Sequence, residues 1–551
     1  MNFKELFNKA IQLHLSGNIP EALASYGQVL ELNPTFVDAL NNQGICLQAL
    51  NRHDEALNNY AQALELKPDY VDAHYNQGIC LKALNRHDEA LASYAQALKL
   101  QPDYGDALNN QGNCLQALNR HDEALASYAQ ALKLQPAHAE AHFNNQGNSL
   151  QALNRHDEAL ASYAQALKLQ PDYAEALNNQ GYSLKALNLY DEALVSYAQA
   201  LKLQPDYAEA LNNQGNCLQA LNRHDEALAS YAQALKLQPD YADAYWNLSL
   251  LQLLQGNYKE GWQNYEWRKK IAKKTKNGYS SLPQQQAWLG MQDLKDKNIL
   301  ISKEQGLGDY IQFCRYLPMI QELGGKIILD TPKSLRPLID TLGIDKTYTD
   351  ELEKVQFQYH CAIMSLPLAF KTKLGTIPNQ GTYLFTPDDK KKYWQEKLGK
   401  KTTPRIGLVW SGNESHVNDL NRSLSLEQLK PWLDLPYEFH SLQIDYRKHD
   451  IKLLPTFPNL YCHEKDIEDF TDTAGLIESM DLIISVDTSV AHLAGAIGKK
   501  ILILLPYASD FRWLVGRPDS PWYPTARLFR QPAIDNWESV VKEIKQLLLH
   551  L

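Results

Sequence analysis

The sequence predicts an α-solenoid of stacked helical hairpins, followed by an α/β unit made of two halves. Two observations predict this fold class. Residues 1–270 repeat with a period of 34 residues, and a fixed period of about 20–50 residues indicates stacked units of supersecondary structure. The remaining residues alternate short apolar runs with amphipathic helical patterns, which is typical of parallel strands connected by helices.

Two residue types mark the period through eight repeats. The tyrosines of the series are Tyr26, Tyr60, Tyr94, Tyr128, Tyr163, Tyr197, Tyr231 and Tyr265. The prolines are Pro34, Pro68, Pro102, Pro136, Pro171, Pro205 and Pro239. One step in each series is 35 residues rather than 34, because repeat five has one residue more between Ala141 and Gly147 than its neighbours. We expect a bulge or reset in that helix.

A single repeat resembles the tetratricopeptide repeat (TPR). Gly44 lies where two helices would touch, Ala56, Tyr60 and Ala63 lie on the second helix, and Pro68 closes the turn. The resemblance implies one helical hairpin per repeat. Because one hairpin cannot bury its apolar stripe alone, stacking of hairpins would form the core of a TPR superhelix with a concave groove for an extended partner.

Composition restricts the class of partner and the compartment. The chain of 551 residues carries a formal net charge of −10, which argues against a general nucleic-acid binder. No basic and apolar signal stretch opens the sequence, and no run of about 18 apolar residues occurs, so neither secretion nor a membrane span is predicted. We expect a cytoplasmic protein.

The recurring cysteines and histidines are predicted to be structural. Cys46, Cys80, Cys114 and Cys217 occupy one repeat position, so neighbours should lie further apart than the roughly 7 Å that a disulfide spans. The histidines of the repeated Asn-Arg-His-Asp-Glu segment fall in separate repeats and would not converge on one metal ion; we predict no metal site. Asp54 and its equivalents fall where a helix needs an N-cap or an acid in its first turn.

An asparagine precedes the glycine position by two residues in every repeat. The series is Asn8, Asn42, Asn76, Asn110, Asn145, Asn179, Asn213 and Asn247. On the first helix of a TPR this position faces the inner groove, so the amides could hydrogen-bond an extended peptide backbone. The series resembles the asparagine ladder of O-GlcNAc transferase, although asparagine is also common at this position in TPRs generally. We predict acceptor binding by Asn110, Asn145, Asn179, Asn213 and Asn247.

The rest of the chain is predicted to be a linker and two α/β halves. A basic and polar stretch begins near Arg268, and residues 271–290 are predicted to be a solvated linker. The two halves are predicted at 291–395, on the acceptor side, and at 404–551, on the donor side. Ligands of open α/β sheets bind beyond the carboxyl ends of the strands, so the candidate site residues are sought there.

Three loops follow predicted strands and carry polar or small residues. Asp487, Thr488 and Ser489 lie where a strand turns into a helix, a geometry that suits a diphosphate. A second loop holds Asn413, His416, Asn418, Asn421 and Arg422, and Arg422 could bind two phosphate oxygens. In the third loop, Gly306 and Gly308 permit close approach of a ligand and Asp309 begins a helix. Simple helix capping by Asp487, Thr488 or Asp309 is the alternative interpretation.

The segments GLGDYIQFCRY (306–316), LVWSGNESHVNDLNRS (408–423) and ISVDTSVAHLAGAIGK (484–499) resemble glycosyltransferase family 9, the heptosyltransferase-like domains of GT-B fold. The resemblance covers about residues 283–551 and implies two Rossmann-like halves. It implies that Asp309 is the general base and that Asp487, Thr488 and His492 bind the donor phosphate. Arg422 matches a basic residue that is often lysine in that family. Gln443, Trp410, Trp513, Trp522 and Tyr523 are candidates for donor contacts or for core packing.

These observations predict a glycosyltransferase that moves a sugar from a nucleotide diphosphate donor to a protein or peptide acceptor in the TPR groove. We expect an inverting displacement without a metal ion, and no cofactor besides the nucleotide-sugar co-substrate. Two alternatives stay open. The chain could be a TPR scaffold whose GT-B module binds a ligand without turnover, or it could transfer sugar to a cell-envelope glycan.

Overall fold

The computed structural model describes residues 3–134, 139–274, 282, 286–379, 381–416 and 418–551. It divides into two compact units, Met1–Cys217 and Leu218–Leu551. Pro136 and most of the predicted linker, residues 275–281 and 283–285, lie outside the described residues.

The predicted helical hairpins are present. Their first helices are α1 (Phe3–Leu15), α3 (Val37–Ala49), α5 (Val71–Ala83), α7 (Gly105–Ala117), α9 (Ala139–Ala152), α11 (Ala174–Ala186), α13 (Ala208–Ala220) and α15 (Ala242–Leu254). Their second helices are α2 (Ile19–Leu32), α4 (His53–Leu66), α6 (His87–Leu100), α8 (His121–Leu134), α10 (His156–Leu169), α12 (Tyr190–Leu203), α14 (His224–Leu237) and α16 (Tyr258–Tyr265).

In repeats two to six the two helices of the hairpin meet at a glycine and a tyrosine. A Cβ placed on Gly44 would lie 2.5 Å from the ring of Tyr60, and Gly78 has the same relation to Tyr94. Both rings are fully buried. The glycine is therefore required for close approach of the two helices, as the sequence predicted. The four repeat cysteines are buried and unbridged, which confirms their structural interpretation.

The turn inside each hairpin depends on a residue in the left-handed backbone region. Asn51 has φ of 58°, and the equivalent asparagines through Asn222 share this conformation. Gly17 and Gly256 take the position in the first and last repeats. Asparagine and glycine tolerate this region best. Asp54 lies in the first turn of α4, after His53, and is not the N-cap, so only the first-turn alternative is confirmed.

Repeat five does not contain the expected bulge. Helix α9 is a continuous α-helix of 14 residues, whereas the first helices of its neighbours have 13. Counted back from Gly147, α9 begins one residue earlier than α7 does from Gly112. The prediction was wrong because the extra residue lengthens the helix at its start, where no ladder of hydrogen bonds has to be interrupted.

The second unit contains two parallel sheets. The first has the order β3-β2-β1-β4, formed by β1 (Asn298–Ser302), β2 (Lys326–Leu329), β3 (Lys346–Tyr348) and β4 (Tyr359–Ala362). The second has the order β10-β9-β8-β5-β6-β7, formed by β5 (Arg405–Val409), β6 (Glu438–Ser441), β7 (Leu460–Tyr461), β8 (Leu482–Val486), β9 (Ile501–Leu505) and β10 (Ala526–Arg530). Strands β5, β8 and β9 are buried at every residue, as expected for parallel strands covered on both faces.

Short helices connect the strands. They are α18 (Leu307–Phe313), α19 (Leu317–Glu322), α20 (Arg336–Asp340), α21 (Leu366–Ala369), α22 (Asp388–Leu398), α23 (Asp419–Arg422), α24 (Lys430–Leu433), α25 (Lys448–Leu453), α26 (Phe470–Glu478), α27 (Ser489–Ala496) and α28 (Trp537–Leu548). Helix α22 packs on α26, where Lys390 pairs with Asp472 at 2.6 Å. Helix α22, which the sequence analysis assigned to the first half, thus contacts a helix of the second half.

Helical or packed residues lie at both described ends of the segment that was predicted to be a linker. Helix α17 (Arg268–Lys274) continues the hairpin array, and Arg268 is buried in an ion pair with Glu304 at 2.6 Å. Trp288 is 1% exposed, and its backbone N–H donates to the carbonyl of His360 on β4. Basic composition suggested solvation, but the charge of Arg268 is compensated by a buried carboxylate from the α/β part of the chain.

Candidate functional site

The order of the strands places the candidate loops at the switch points of the two sheets. In the second sheet, β5 is followed outward by β6 and β7 on one side, and β8 begins the other side. The crevice between β5 and β8 is where open α/β sheets bind ligands. The loops that start at Ser411 and Asp487 leave the carboxyl ends of these two strands. In the first sheet the corresponding crevice lies between β1 and β4, and the Asp309 loop follows β1.

Asp309 lies in a buried ion pair at the start of α18. Its carboxylate accepts a hydrogen bond from the backbone N–H of Gly306 at 2.8 Å and a second one from the guanidinium of Arg512. Arg512 also pairs with Asp510 at 2.6 Å. Burial raises the pKa of Asp309, and Arg512 opposes this effect. A buried carboxylate with a raised pKa is a stronger proton acceptor than an ordinary surface aspartate.

The Asp309 loop touches the helix that follows β8. A Cβ on Gly308 would lie 2.7 Å from the His492 ring and 3.4 Å from Cα of Ser489. The glycine thus brings the loop of the first sheet against α27 of the second. His492 Nδ1 lies 2.9 Å from the hydroxyl of Tyr523, and its ring stacks on Trp513 with 5.3 Å between centroids. Burial lowers the pKa of His492 well below its usual range, so the ring is neutral at pH 7.

The residues 487–489 form the predicted turn from strand to helix. Thr488 directly precedes α27, and Ser489 is its first residue. The first N–H groups of a helix have no partner within it and attract anions. Asp487 offers its carbonyl oxygen to Arg422 Nη1 at 3.0 Å. Burial, with a contribution from the nearby Asp510, raises the pKa of the Asp487 carboxyl to about 6.

Two residues of the loop after β5, Gly412 and Asp419, position Arg422. A Cβ on Gly412 would lie 2.4 Å from Arg422 Nη2, so only glycine leaves room for the guanidinium. Asp419 accepts from Arg422 Nε at 3.4 Å and from the guanidinium of Arg447. Burial lowers the pKa of His416, and Arg422 adds to this effect. One buried carboxylate therefore orients two guanidinium groups, of which that of Arg422 lies beside the start of α27.

Asn413 and Gln443 support the loop in different ways. The Oδ1 atom of Asn413 accepts from the backbone N–H and hydroxyl of Ser415, both at 2.9 Å, in an exposed turn. Gln443 is buried; its Oε1 accepts from the backbone N–H of Trp410 and of Ser411, and its Nε2 donates to Ser411 Oγ and to the Asp445 carbonyl. Its polar atoms support the backbone of this loop, and the donor contact of this side chain stays a prediction.

The aromatic candidates lie in the core. Trp410, Trp513, Trp522 and Tyr523 are each at most 1% exposed. Trp410 Nε1 donates to Asp450 at 2.9 Å, and Trp522 Nε1 donates to the hydroxyl of Tyr258 at 3.1 Å. Core packing, the alternative given for these residues, is the interpretation that the structure supports.

Three residues of the site were not anticipated from the sequence: Asp419, Arg447 and Arg512. Arg512 follows β9 and Arg447 follows β6, so both obey the rule that site residues lie beyond the carboxyl ends of strands. Arg447 and Arg512 lie outside the recognised motifs, whereas Asp419 lies within the segment 408–423 but was not singled out. If every residue that follows a predicted strand had been considered, Arg447 and Arg512 would have been among the candidates.

The asparagine series of the repeats forms hydrogen bonds between successive first helices. Asn145 Nδ2 donates to Asn109 and Asn113, at 3.3 and 3.2 Å. Asn179 Nδ2 bonds in the same way to Asn144 and Asn148, and Asn213 Nδ2 bonds to Asn178. Asn110 donates to the hydroxyl of Tyr75 and accepts from Lys82. These four side chains and Asn247 are half-buried. The series therefore links repeats, in addition to any role in binding.

The described residues contain neither a metal-binding cluster nor a membrane-spanning helix. No group of three or more His, Cys, Asp or Glu side chains there could hold a metal ion. In the same part of the chain, no helix has the length and apolar character needed to cross a membrane.

Comparison with known proteins identifies the repeats. Family models described as tetratricopeptide repeat or TPR repeat match residues 25–58, 47–105, 105–138, 144–208, 179–235 and 215–256. Among curated proteins, Protein FlbA of Caulobacter vibrioides is 26% identical over 336 residues, which are 54% of this chain and 54% of FlbA. The match thus spans about half the length of that relative.

Solved structures that resemble the chain are also TPR proteins. YrrB, described as a TPR protein with an unusual peptide-binding site, is 26% identical, with 34% of this chain and 95% of YrrB covered and a TM-score of 0.29. A tetratricopeptide repeat protein from Parabacteroides merdae is 16% identical, with 45% and 97% covered and a TM-score of 0.38. Because the family models match these residues, the hairpin array of this chain consists of tetratricopeptide repeats.

Proposed function

We propose that the chain is a glycosyltransferase of GT-B type, which moves a sugar from a nucleotide diphosphate donor to a protein or peptide acceptor held by the TPR array. The observation that carries the proposal is the meeting of the Asp309 loop with α27 through Gly308 and His492. It brings a buried carboxylate of one sheet next to an anion-binding helix start of the other sheet. The resemblance to glycosyltransferase family 9 in these same loops supports the assignment.

In this proposal the donor diphosphate lies at the start of α27. The N–H groups of that turn, with the hydroxyls of Thr488 and Ser489, would bind phosphate oxygens. Arg422, which is anchored by Asp419, would neutralise the charge that develops when the diphosphate leaves. We assign this compensation to the protein groups and therefore propose turnover without a metal ion.

Asp309 would act as the general base. An acceptor hydroxyl oxygen attacks the anomeric carbon, the bond from that carbon to the diphosphate oxygen breaks, and the hydroxyl proton passes to the Asp309 carboxylate. A single displacement of this kind inverts the anomeric configuration. Arg512 would hold the carboxylate in place, while burial keeps its pKa raised and its basicity high.

The TPR array would bind the acceptor. TPR proteins bind peptide or protein segments, and the structure of YrrB is described as containing a peptide-binding site. The amide groups of Asn110, Asn145, Asn179, Asn213 and Asn247 would contribute hydrogen bonds to an extended acceptor. Each is worth only about 0.5–1.5 kcal/mol net, so several must act together.

The first test is a thermal-shift screen of the full chain with UDP, GDP, ADP and CDP sugars. A ligand of the native state stabilises it by about 2.7 kcal/mol at one hundred times its Kd, so the correct donor should raise the melting temperature. Donor hydrolysis and transfer are then measured with and without EDTA. We expect full rates in EDTA and loss of transfer in Asp309→Asn, with the exposed Asp519→Asn as the matched control.

Each outcome of this test decides between the candidate functions. Donor binding with no hydrolysis and no transfer to any acceptor would favour the scaffold. Transfer to glycans but not to polypeptides would favour a cell-envelope acceptor. Abolition of turnover by EDTA with recovery in Mg²⁺, or an unchanged rate in Asp309→Asn, would contradict the proposed mechanism.

A further inference from the structure

The last TPR hairpin, α15 and α16, is built into the α/β part of the second unit. Tyr265 at the end of α16 is 1% exposed, and its hydroxyl accepts a hydrogen bond from Gln305 Nε2 at 3.1 Å. The same ring lies 5.9 Å from Phe511 in an edge contact. Gln305 lies in the connection between β1 and α18, the helix that contains Asp309, and Phe511 directly precedes Arg512. One tyrosine of the repeat array therefore contacts both loops that form the Asp309–Arg512 ion pair.

Trp262, one turn earlier on α16, also contacts residues next to Asp309 and Arg512 in the fold. Its ring lies 6.0 Å from Phe313 and 5.8 Å from Phe511, with both contacts near perpendicular. Phe313 ends α18, the helix that contains Asp309. Aromatic pairs of this geometry add stabilisation beyond that of the buried area alone. The hairpin thus supports the helix of Asp309 and the residue next to Arg512 with a single side chain.

The polypeptide at Gln305 also needs support. Its φ of 53° lies in the left-handed region, which is strained for a residue other than glycine. The neighbouring Glu304 is held in a buried ion pair with Arg268 at 2.6 Å. Two consecutive residues of the loop are therefore fixed by α16 and α17.

The sequence of the last repeat departs from the others at the positions that make these contacts. In repeat seven the hydroxyl of Tyr231 donates to Gln219 of its own hairpin at 3.1 Å. The residue equivalent to Gln219 in repeat eight is Leu253, so Tyr265 has no such amide and bonds to Gln305 instead. Trp262 occupies the position that is leucine in repeats two to seven.

We propose that Tyr265 and Trp262 are positioning residues, through which the last TPR hairpin sets the geometry of Asp309 against Arg512. The part of the inference that concerns catalysis rests on the proposed function. Misplacement of a reacting group by about 1 Å can reduce a rate by about 100-fold. Loss of one hydrogen bond in this support should therefore reduce kcat without changing the affinity for the donor.

The test compares Tyr265→Phe with Tyr231→Phe in the full chain. Each substitution removes one hydroxyl from the same position of a repeat and keeps the ring, but only Tyr265 contacts the Asp309 loop. Hydrogen exchange is measured by mass spectrometry on segments 303–313 and 508–516. We expect exchange there to rise about threefold or more in Tyr265→Phe, because local opening becomes easier, and to stay unchanged in Tyr231→Phe.

Kinetics complete the test. With the donor found by the screen, we expect kcat of Tyr265→Phe to fall about tenfold and the donor KM to change less than twofold, as expected for a positioning defect. Gln305→Ala should give a similar loss, and the double variant should be no worse than either single variant.

Equal exchange in the two tyrosine variants would overturn the inference. So would equal kcat in the two variants, or additive losses in the double variant. If the wild type turns over no donor, the proposed function fails, and the exchange measurement still decides whether the hairpin holds the two loops.

Discussion

The guanidinium of Arg512 donates to the carboxylate of Asp309 across 203 residues of sequence. Asp309 follows β1 of the first sheet, and Arg512 follows β9 of the second. Both side chains are at least 85% buried. The pair therefore joins the two sheets at the candidate site, and its integrity should be visible in the stability of the second unit.

We predict that Arg512→Ala destabilises the second unit by about 3–5 kcal/mol, because it leaves the Asp309 carboxylate buried without its partner. The matched control is Arg517→Ala, which breaks an exposed pair with Asp519 and should cost at most about 1 kcal/mol. All ten tryptophans lie between residues 246 and 537, so the denaturant midpoint of tryptophan fluorescence reports this unit alone. Equal midpoints for the two variants would refute the prediction.

We predict that Gly412→Ala weakens binding of the nucleotide sugar. The added Cβ would lie 2.4 Å from Arg422 Nη2, so the guanidinium must move away from Asp487 and from the proposed diphosphate. A displaced charged hydrogen bond should cost about 1.5–3 kcal/mol, or about 10–100-fold in Kd. Gly375→Ala is the control, since its Cβ would meet nothing within 4 Å. Calorimetric titration with the donor gives both constants, and an unchanged Kd for Gly412→Ala would exclude this role of Arg422.

We predict that donor affinity falls as the pH rises from 5 to 7. The pKa of Asp487 is raised to about 6, so the folded chain holds this proton over a range in which an ordinary aspartate has lost it. Above pH 6 the ionised carboxylate repels the diphosphate, and we expect a loss of several-fold in affinity. The diphosphate of a nucleotide sugar is a diester and does not titrate in this range. Asp487→Asn should bind with a weaker dependence on pH, and an identical dependence in this variant would assign the effect to other groups.

We predict that replacing Asn110, Asn145, Asn179, Asn213 and Asn247 together by alanine reduces transfer to a polypeptide acceptor about tenfold or more, because several weak hydrogen bonds are lost at once. Donor hydrolysis should not change. The control replaces the five arginines of the exposed first-turn pairs, Arg52, Arg86, Arg120, Arg155 and Arg223.

The asparagines also form hydrogen bonds between repeats, so their loss could disturb the array. Circular dichroism must therefore show equal helix content in the fivefold asparagine variant and the fivefold arginine variant. Transfer at the wild-type rate by the asparagine variant would show that the series only joins neighbouring hairpins.

The repeat array could be predicted in detail, and the site only in part. Period, glycine and tyrosine positions determine the hairpins because each contact, such as that of Gly44 with Tyr60, lies within one repeat. The ion pairs of Asp309 with Arg512 and of Arg268 with Glu304 join residues from different elements of the fold. Local sequence contains no sign of such pairs. For the same reason the hydrogen bonds by which Gln443 supports the backbone of the β5 loop were not predicted.

The contacts of α16 and α17 determine where the chain can be divided. A fragment that begins at residue 271, where the sequence suggested a boundary, would lose Trp262, Tyr265 and Arg268. Phe313 and Phe511 would then face water, and Glu304 would be left without its partner. Exposed aromatic surface of this kind promotes aggregation. An expression fragment of the α/β part should therefore retain the last TPR hairpin, because this hairpin covers part of the hydrophobic core of that domain.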